Sequence, residues 1–566
     1  MRRPANLVYT LDDIPPLHVT AFNAIQHVGL IAINLVYPLL VFHLVDTPLP
    51  MVANLLAVGM IVLGAATLLQ VMRLGPIGSG FLCPATFSAA YLSPSLLAAK
   101  AGGLPLLFGM TLFAGLLEVA LSRALHRLRA VFPAELSGVV IFMIGLSGGA
   151  AGLRSLLAAD AAPVSAAEWQ VAAFTLAVMV GLNVWGKGLL RMLCALIGLA
   201  AGYAAAAFAG LFGNGQLNGM DNMPWVAAPG FGHLSWSFEL AMAVPFAIAC
   251  VAATMKALGT ITVCQRMVDA DWVRPDMRSA TRGVLADGIS TALAGLLNAV
   301  GTNTSTPSVG LASATGVASR RVGIVIGLLF LALGLLPKLT TLLALMPRSV
   351  MVAALLFSIC FILINGVQVM TSRLLDSRKT LVIGLALIAG SSVEIFPVIA
   401  AHAGASWRPM IGSSLVFATL VGFTLNLLFR IGVKQTVALT IEPARIDAQQ
   451  VDDFLRQQGG RWGARPDVIG RAIFAANQLV EAVTENCWKS GPLTLQASFD
   501  EFNLDVRLSY RGEPLEFPDR RPTDQEIRET DEGMRRLAGF MLRHNADRMR
   551  SEAQGDVATV HFHFDH

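Results

Sequence analysis

Two stretches of the chain combine small hydroxyl residues with glycine and proline in apolar surroundings. One covers residues 78–94 and contains Thr86 and Ser88, and the other covers residues 301–310 and contains Ser308. A helix that begins at such a break leaves free backbone N–H groups and the positive end of its dipole. Two such helix ends facing each other would bind a ligand with carbonyl or anionic oxygens, and the hydroxyls would add donors and acceptors.

Lys256 is the most unusual charged residue. It lies in the middle of an apolar run from Ala241 to Val263, where a cation costs a few kcal/mol unless it is neutralised or faces a polar cavity. The alternative is that the lysine side chain extends to the membrane surface, but the distance is long for a lysine stem. We interpret Lys256 as a site cation. Asp287 is the nearest acidic candidate in sequence to pair with it, and a carboxylate stabilising a helix start is the alternative for that residue.

Ring side chains are the third group of candidates. Phe87 and Tyr91 would offer a face for stacking a planar ring, although aromatic residues in membrane spans more often pack in the core. His27 lies in the first span as a packing residue or as a donor to the site. No acidic residue lies near the centre of the first, third, eighth or tenth span, so we predict no carboxylate proton relay.

The composition requires a membrane to position these residues. Of 566 residues, 55% are hydrophobic and 14% charged, and the mean hydropathy is +0.63, which excludes an ordinary soluble fold. Apolar runs of spanning length predict about fourteen segments. They lie at 20–44, 50–72, 86–101, 104–124, 133–157, 168–187, 190–212, 238–262, 284–300, 307–318, 322–345, 348–372, 379–399 and 410–431.

The third and tenth segments are too short to cross a bilayer, and they lie seven segments apart. Such a pair is typical of inverted-repeat transporters, whose substrate site lies between the half-helices. Basic residues concentrate in alternate loops, for example at Arg123, Arg127 and Arg129, which predicts cytoplasmic N- and C-termini. Because these residues form no single stripe, nucleic-acid binding is not expected.

The chain changes character near residue 436. The net charge is +10 up to Thr436 and −6 from Val437 onward, and alternating, strand-like stretches appear. We therefore predict an all-α polytopic membrane protein with a C-terminal cytoplasmic α+β domain. Its divisions are a cytoplasmic N-terminus (1–19), a transmembrane transporter domain (20–435) and the α+β domain (436–566).

These residues resemble the nucleobase–ascorbate transporter family, which includes the uracil and xanthine permeases, over about residues 20–435. The Gln-His pair ending at His27 and the third-span break at residues 86–94 are similar to family features. The stretch from Pro307 through Gly310 to Thr315 is similar to the family signature, except that Ser308 replaces an asparagine.

The resemblance implies fourteen spans in two inverted seven-span repeats, forming core and gate domains that are commonly dimeric. It also implies an acidic substrate contact in the eighth span, where this chain has Lys256, and Thr260 stands where uracil permeases have histidine. The predicted substrate-binding residues are Lys256, Phe87, Thr86, Ser88, Pro307, Ser308, Val309, Gly310, His27 and Thr260. Asp287 and Thr315 are predicted to have coupling or structural roles.

The predicted function is secondary active transport of a uracil-, xanthine- or urate-like nucleobase across the inner membrane by alternating access. We expect no enzymatic activity, cofactor or metal, and we expect a homodimer. Because this chain has Lys256 in place of the carboxylate acceptor, an anion transporter like the related sulfate permeases is an alternative. A transporter-derived sensor that signals through its tail is a further alternative.

The tail resembles the histidine-kinase-like ATPase superfamily, particularly its anti-sigma-factor branch, around Asn486. The following motif reads Tyr510-Arg511-Gly512 and lacks the aspartate that would bind the adenine amino group. The resemblance therefore implies a degenerate nucleotide site at Asn486 and Gly512 and a regulatory module with a protein partner.

Overall fold

The structure is a computed structural model, and the chain divides into two compact units, Met1–Asn426 and Leu427–His566. Arg127 and Arg129, which entered the prediction of topology, lie outside the described residues. The described residues are 3–5, 7–125, 133–157, 165–212, 223–272, 275–371, 375–396, 398–402, 404, 408–429, 435–442, 448–462, 464–500, 503–522, 531–543 and 546–565.

The first unit is built almost entirely of apolar helices. Its described helices are α1 (Leu17–Ala32), α2 (Val36–Leu44), α3 (Leu49–Val71), α4 (Leu92–Ser122), α5 (Ala134–Leu157), α6 (Ala166–Trp185), α7 (Leu189–Met192), α8 (Cys194–Phe208), α9 (Leu240–Val268), α10 (Met277–Leu296), α11 (Thr306–Thr315), α12 (Arg320–Gly334), α13 (Pro337–Ala344), α14 (Arg348–Met370), α15 (Ser377–Ile395), α16 (Val398–His402), α17 (Arg408–Ile411) and α18 (Ser414–Phe429).

Seven helical stretches in the described ranges are long and apolar enough to cross a membrane, judged by length and composition. They contain α1 with α2, α3, α4, α5, α6, α9 and α14. The helices α12 and α13 would make an eighth span, although they meet at 81°. This bend differs from the continuous segment predicted at 322–345, because Pro337 begins α13 and has no backbone N–H to continue α12. The number fourteen stays a prediction.

The predicted segments at 86–101 and 104–124 form one helical stretch with an internal break. Within α4, Gly102 and Gly103 have non-helical backbone angles, and Gly103 has a positive φ of 71°. A residue with a Cβ rarely adopts that conformation. Pro105 follows and removes another backbone donor, so the break is local and α4 continues beyond it.

Two short strands lie at the predicted breaks, β1 (Ala85–Phe87) and β2 (Thr302–Thr304). They pair antiparallel, with Thr86 opposite Asn303. All six strand residues are buried. The pairing satisfies backbone groups that would otherwise be unpaired inside an apolar unit.

Glycines let α4 and α10 approach closely. A Cβ added at Gly288 would lie 2.7 Å from the backbone nitrogen of Val119, and one at Gly295 would lie 2.2 Å from that of Leu112. Small residues at helix crossings allow such backbone contact in membrane proteins. As a result, Glu118 of α4 and Asp287 of α10 both lie beside the point where the two helix backbones touch.

The second unit contains a five-stranded antiparallel sheet in the order β3-β4-β5-β7-β6. Alternate strand residues, such as Leu504, Val506 and Leu508 on β5, are buried together with Leu479 and Val483 of helix α20. The strands are β3 (Gln435–Ile441), β4 (Trp488–Phe499), β5 (Asn503–Gly512), β6 (Arg548–Gln554) and β7 (Val557–Asp565), and the helices are α19 (Ala448–Trp462), α20 (Pro466–Asn486) and α21 (Asp531–Leu542).

Candidate functional site

The paired strands bring the beginnings of two helices together. Beyond the three register pairs, the backbone N–H of Ser88 donates to Gly301 O at 3.0 Å and that of Ser305 donates to Pro84 O at 2.9 Å. Ser88 Oγ accepts a hydrogen bond from the N–H of Ala90, and Ser305 Oγ accepts one from Ser308. Both serines therefore cap a first helical turn immediately after a strand.

Side chains from neighbouring helices hold the strands in place. Asn34 Nδ2 donates to Thr86 Oγ1 at 2.7 Å, and Asn303 Nδ2 donates to the carbonyl of Ala253 on α9 at 2.8 Å. Thr86 is 2% exposed. In this structure the Thr86 hydroxyl is therefore bonded to Asn34. It would have to give up this hydrogen bond to bind a ligand directly.

An exposed face lies along α9 and α11. Thr260 of α9 and Thr306 of α11 are joined through their hydroxyl oxygens, which lie 2.8 Å apart. Gly259, Pro307 and Gly310 are exposed, and a Cβ added at Gly259 or Gly310 would meet no atom within 4 Å. The two helices thus share an open surface beside the capped end of α11.

Lys256 lies one turn before Thr260 and is half-buried. Its carbonyl accepts a hydrogen bond from Thr260 Oγ1 at 2.9 Å. The charge of Asp287 acts on its ammonium, yet Lys256 forms no direct ion pair among the residues that the structure describes. The pairing with Asp287 therefore stays a prediction, and the lack of a direct ion pair in the described ranges leaves hydrogen-bonding capacity on the ammonium.

Three other predicted residues of α11 differ in their environments. Ser308 and Val309 are completely buried, and Ser305 Oγ donates to Ser308 Oγ at 2.9 Å. Thr315 donates to the Leu311 carbonyl of its own helix at 3.0 Å and lines a cavity of about 440 Å³ with Gln26. Of the predicted substrate-binding residues on α11, Pro307 and Gly310 are exposed.

The two aromatic candidates are packed within the unit. Phe87 is 2% exposed. A Cβ added at Gly59 of α3 would lie only 2.8 Å from the tip of its ring. Tyr91 is fully buried against Gly301, and its hydroxyl has no hydrogen-bond partner in the described part of the chain. A stacking role for Phe87 stays a prediction, because it requires the ring to leave this packing.

His27 is fully buried, and neither ring nitrogen has a hydrogen-bond partner among the described residues. Its neighbour Gln26 donates to Met192 Sδ at 3.2 Å. A buried imidazole without partners is costly, and both roles of His27, packing residue and donor to the site, stay predictions.

Glu118 is a buried acidic residue that the sequence reasoning missed. It is fully buried in α4, and its Oε1 accepts a hydrogen bond from Thr254 Oγ1 at 3.2 Å. The signal was available, because Glu118 is the one acidic residue within the apolar run 104–124. Like Lys256, Glu118 places a costly charge within an apolar span, which indicates a functional role.

In the second unit, the structure brings Asn486 and Gly512 together. Asn486 ends α20 and its side chain donates to Ala482 O within the same helix at 3.1 Å. A Cβ at Gly512 would lie 1.9 Å from the carbonyl oxygen of the adjacent Cys487. Gly512 therefore has a packing reason to be glycine. Glu513, which follows it, pairs with Lys489 at 3.1 Å and with Arg535.

Comparison with known proteins identifies relatives of the first unit. The family model Xan_ur_permease, described as "Permease family", matches residues 18–399. The chain is 29% identical to xanthine permease XanP of Escherichia coli (strain K12) over 75% of this chain and 95% of that protein. It is 27% identical to uric acid permease PucJ of Bacillus subtilis (strain 168), over 73% of this chain and 93% of that one. Among solved structures, it aligns with the transmembrane domain of the cyanobacterium bicarbonate transporter BicA at 14% identity, covering 74% and 99% of the two chains with a TM-score of 0.44.

Proposed function

Because this chain belongs to the xanthine/uracil permease family, we propose that it is a secondary active transporter of a xanthine-, uracil- or urate-like nucleobase. Relatives named as xanthine and uric acid permeases align over nearly their whole length. The chain is a multi-pass membrane permease. We further propose that the protein is a homodimer in the inner membrane with cytoplasmic N- and C-termini. Each chain would have about fourteen spans, arranged as two inverted repeats and divided into core and gate domains.

One observation carries the choice of site. The paired strands β1 and β2 bring two capped helix beginnings together, and Lys256 lies on the adjacent helix without a direct ion pair among the described residues. The helix ends offer partial positive charge and N–H donors, and Lys256 adds a full cation. Carbonyl oxygens of a nucleobase, or the charge of its anionic form, complement this surface.

We assign different roles to the predicted residues. Lys256 would bind the most negative oxygen of the substrate, while Pro307 and Gly310 would form the open floor of the site. Ser88 caps one helix start, and Ser308 bonds to Ser305, which caps the other. Thr260 connects α9 to α11. Alternating access would expose this site to one side of the membrane and then to the other.

The lysine favours anionic substrates over neutral ones. A carboxylate at this position would accept a hydrogen bond from a neutral ring N–H, whereas Lys256 only donates. The Lys256 ammonium would be a counter-charge for urate and for the anion of xanthine, whereas uracil is neutral and would gain nothing from it. The same argument supports the second candidate, an anion transporter that uses Lys256 for a smaller oxyanion.

The test is counterflow of labelled xanthine and labelled urate in proteoliposomes containing the purified full chain. Uracil, sulfate and bicarbonate serve as competitors, and Lys256→Ala, Lys256→Glu and the exposed control Lys100→Ala are compared. We expect urate or xanthine exchange that both Lys256 variants abolish and Lys100→Ala retains. Competition by sulfate alone would favour the anion transporter. Binding without exchange would favour a sensor, and unchanged exchange in Lys256→Ala would remove the lysine from the site.

For the second unit, we propose a degenerate, regulatory version of the histidine-kinase-like ATPase fold, cytoplasmic and in contact with a protein partner. Tyr510, which stands where the superfamily would have its adenine-binding aspartate, is buried and donates its hydroxyl to Glu513 O at 2.9 Å. The Glu513 carboxylate is itself paired with Lys489 and Arg535. We expect no thermal stabilisation of the full chain by Mg-ATP. Stabilisation that Asn486→Ala removes would contradict the degenerate assignment.

A further inference from the structure

The sheet of the second unit has one covered face and one open face. Leu504, Val506 and Leu508 of β5 are buried together with residues of α19, α20 and α21. Successive side chains of a strand point to opposite faces. Arg507 and Arg511 of the same strand therefore belong to the other face, where both are exposed. The open face presents charged side chains that the described helices leave uncovered.

Four arginines come together on this open face. Arg507 of β5 and Arg550 of β6 are both register partners of His561 on β7, which lies between them. Neighbouring strands are roughly 4.8 Å apart, which puts the Cα atoms of the two arginines roughly 10 Å apart. Arg548 lies two residues before Arg550, and Arg511 lies four residues after Arg507. We call these four exposed arginines the basic patch.

The basic patch is not neutralised by its neighbours. Among the described residues, none of its arginines forms an ion pair. The described acidic side chains on the same face are Asp505, whose Oδ1 lies 2.7 Å from His563 Nδ1, and Glu552, which is the register partner of Thr559. Four arginines against these two carboxylates leave an excess of positive charge even when the histidines of β7 are neutral. A free guanidinium is a planar fork of N–H donors that matches phosphate oxygens.

The unit as a whole carries the opposite charge. Residues 437–566 have a net charge of −6, so the basic patch reverses the sign of the unit locally. Salt screens exposed charges over about 10 Å at ~0.1 M. A surface that touches the open face therefore responds mainly to the patch and little to more distant acids. Charge complementarity favours an anionic partner with a broad, flat surface.

The connection to the last apolar helix selects that partner. α18 ends at Phe429 and β3 begins at Gln435, and a segment of this length spans at most about 20 Å. The sheet is therefore tethered close to the bilayer that holds this permease. Basic clusters that follow a membrane helix bind anionic lipid headgroups, and a tethered surface binds at high effective concentration. We infer that the basic patch docks the open face of the second unit on anionic lipid headgroups of the membrane.

This docking adds a binding surface to the proposed regulatory unit and does not depend on the transported substrate. A nucleic acid or an acidic protein would meet the same charges, but the chain holds neither of them nearby. Docking through the open face would leave the layer of α19, α20 and α21 turned away from the lipid. That layer would stay accessible to the protein partner proposed for the unit.

The test compares the purified full chain in nanodiscs of phosphatidylcholine with the same chain in nanodiscs that also contain phosphatidylglycerol. A glyoxal reagent modifies accessible arginines, and mass spectrometry measures the rate at each one. We expect the basic patch to react several-fold more slowly in the anionic nanodiscs, and added salt to reverse this slowing. Arg456, which is exposed on α19, should react equally in both. Equal rates at the patch in the two kinds of nanodisc, or the same slowing at Arg456, would overturn the inference.

Paired substitutions show whether the charge of the patch is responsible. Arg507→Gln combined with Arg550→Gln should abolish most of the slowing at the two remaining arginines of the patch. Arg456→Gln combined with Arg461→Gln removes the same charge from exposed positions of α19 and should retain the slowing. Unchanged slowing in the patch variant would contradict lipid docking, and the wild-type comparison decides alone if a variant does not fold.

A soluble polyanion is the remaining alternative for the patch. A DNA duplex and polyglutamate are therefore added separately to the full chain in phosphatidylcholine nanodiscs. Slowing by either of them, without any slowing by phosphatidylglycerol, would assign the patch to that class of partner and overturn the inference. No arm of the experiment uses a transport substrate, so its outcome is independent of the proposed transport function.

Discussion

Thr260 and Thr306 connect two helices through hydroxyl oxygens that lie 2.8 Å apart. Thr260 Oγ1 also donates to the carbonyl oxygen of Lys256 at 2.9 Å. Because a hydroxyl has a single proton to donate, Thr306 is the donor to Thr260 in this arrangement. The chain of hydrogen bonds fixes the turn that carries Lys256 against the first turn of α11.

Removing this connection should weaken substrate binding. Thr260→Val keeps the shape of the side chain and deletes both hydrogen bonds, and a net hydrogen bond is worth about 1 kcal/mol. We expect a roughly fivefold loss of affinity for urate or xanthine, measured by competition in counterflow. Thr262→Val is the matched control, because within the described ranges the Thr262 hydroxyl bonds only to the Leu258 carbonyl of its own helix. Equal effects of both variants would contradict the connection.

Two glycine substitutions should separate binding from stability. A methyl group at Gly310 meets open space, and alanine favours a helix by about 1 kcal/mol over glycine. Gly310→Ala should therefore keep or raise the Tm while lowering affinity for the substrate. At Gly301, by contrast, the added Cβ would lie 2.4 Å from the Tyr91 ring, so Gly301→Ala should lower the Tm. Unchanged affinity in Gly310→Ala would remove this glycine from the site.

The segment before α1 should contribute to the stability of the first unit. Backbone N–H groups of Val8 and Tyr9 donate to Gly316 O, and Leu11 is 7% exposed. Leu11→Ala should destabilise the unit by about 2 kcal/mol through lost burial and the cavity left behind. The expected result is a lower Tm of the purified protein. Leu17→Ala is the control, since Leu17 is 83% exposed, and a similar fall there would contradict this role.

Acid should loosen the sheet of the second unit at β7. His561 Nε2 lies 3.4 Å from Asp505 Oδ1, and His563 Nδ1 lies 2.7 Å from the same oxygen. Burial lowers the pKa of His561, with Arg507 and His563 acting in the same direction and Asp505 opposing them. The unfolded chain then binds this proton more tightly than the folded one, so stability falls as the pH drops below about 6.5.

Hydrogen exchange of β7 in the full chain measures this effect. We expect less protection at about pH 5.5 than at about pH 7.5 once intrinsic exchange is corrected, and a smaller difference in His561→Gln. His402→Gln changes an exposed histidine of the first unit and should leave the difference intact. Equal protection at both pH values would show that His561 does not control the strand.

Much of the site was predictable because local chemistry determines it. Glycine, proline and hydroxyl residues at 78–94 and 301–310 indicated interrupted spans, and the structure has a strand and a capped helix at each. Lys256 was recognisable as a lone charge in an apolar run. Glu118 obeys the same rule, but it lies in the fourth predicted segment and not in the first, third, eighth or tenth, from which the site was predicted.

The sequence by itself therefore determined the membrane character, the family and the positions of the two breaks, since hydropathy and backbone chemistry act over neighbouring residues. Only the tertiary structure decided which side chains meet. The pairing of β1 with β2 and the contact of Glu118 with Gly288 join residues far apart in the chain. Close packing, which depends on glycine where two elements touch, also decided that the Phe87 ring lies against Gly59.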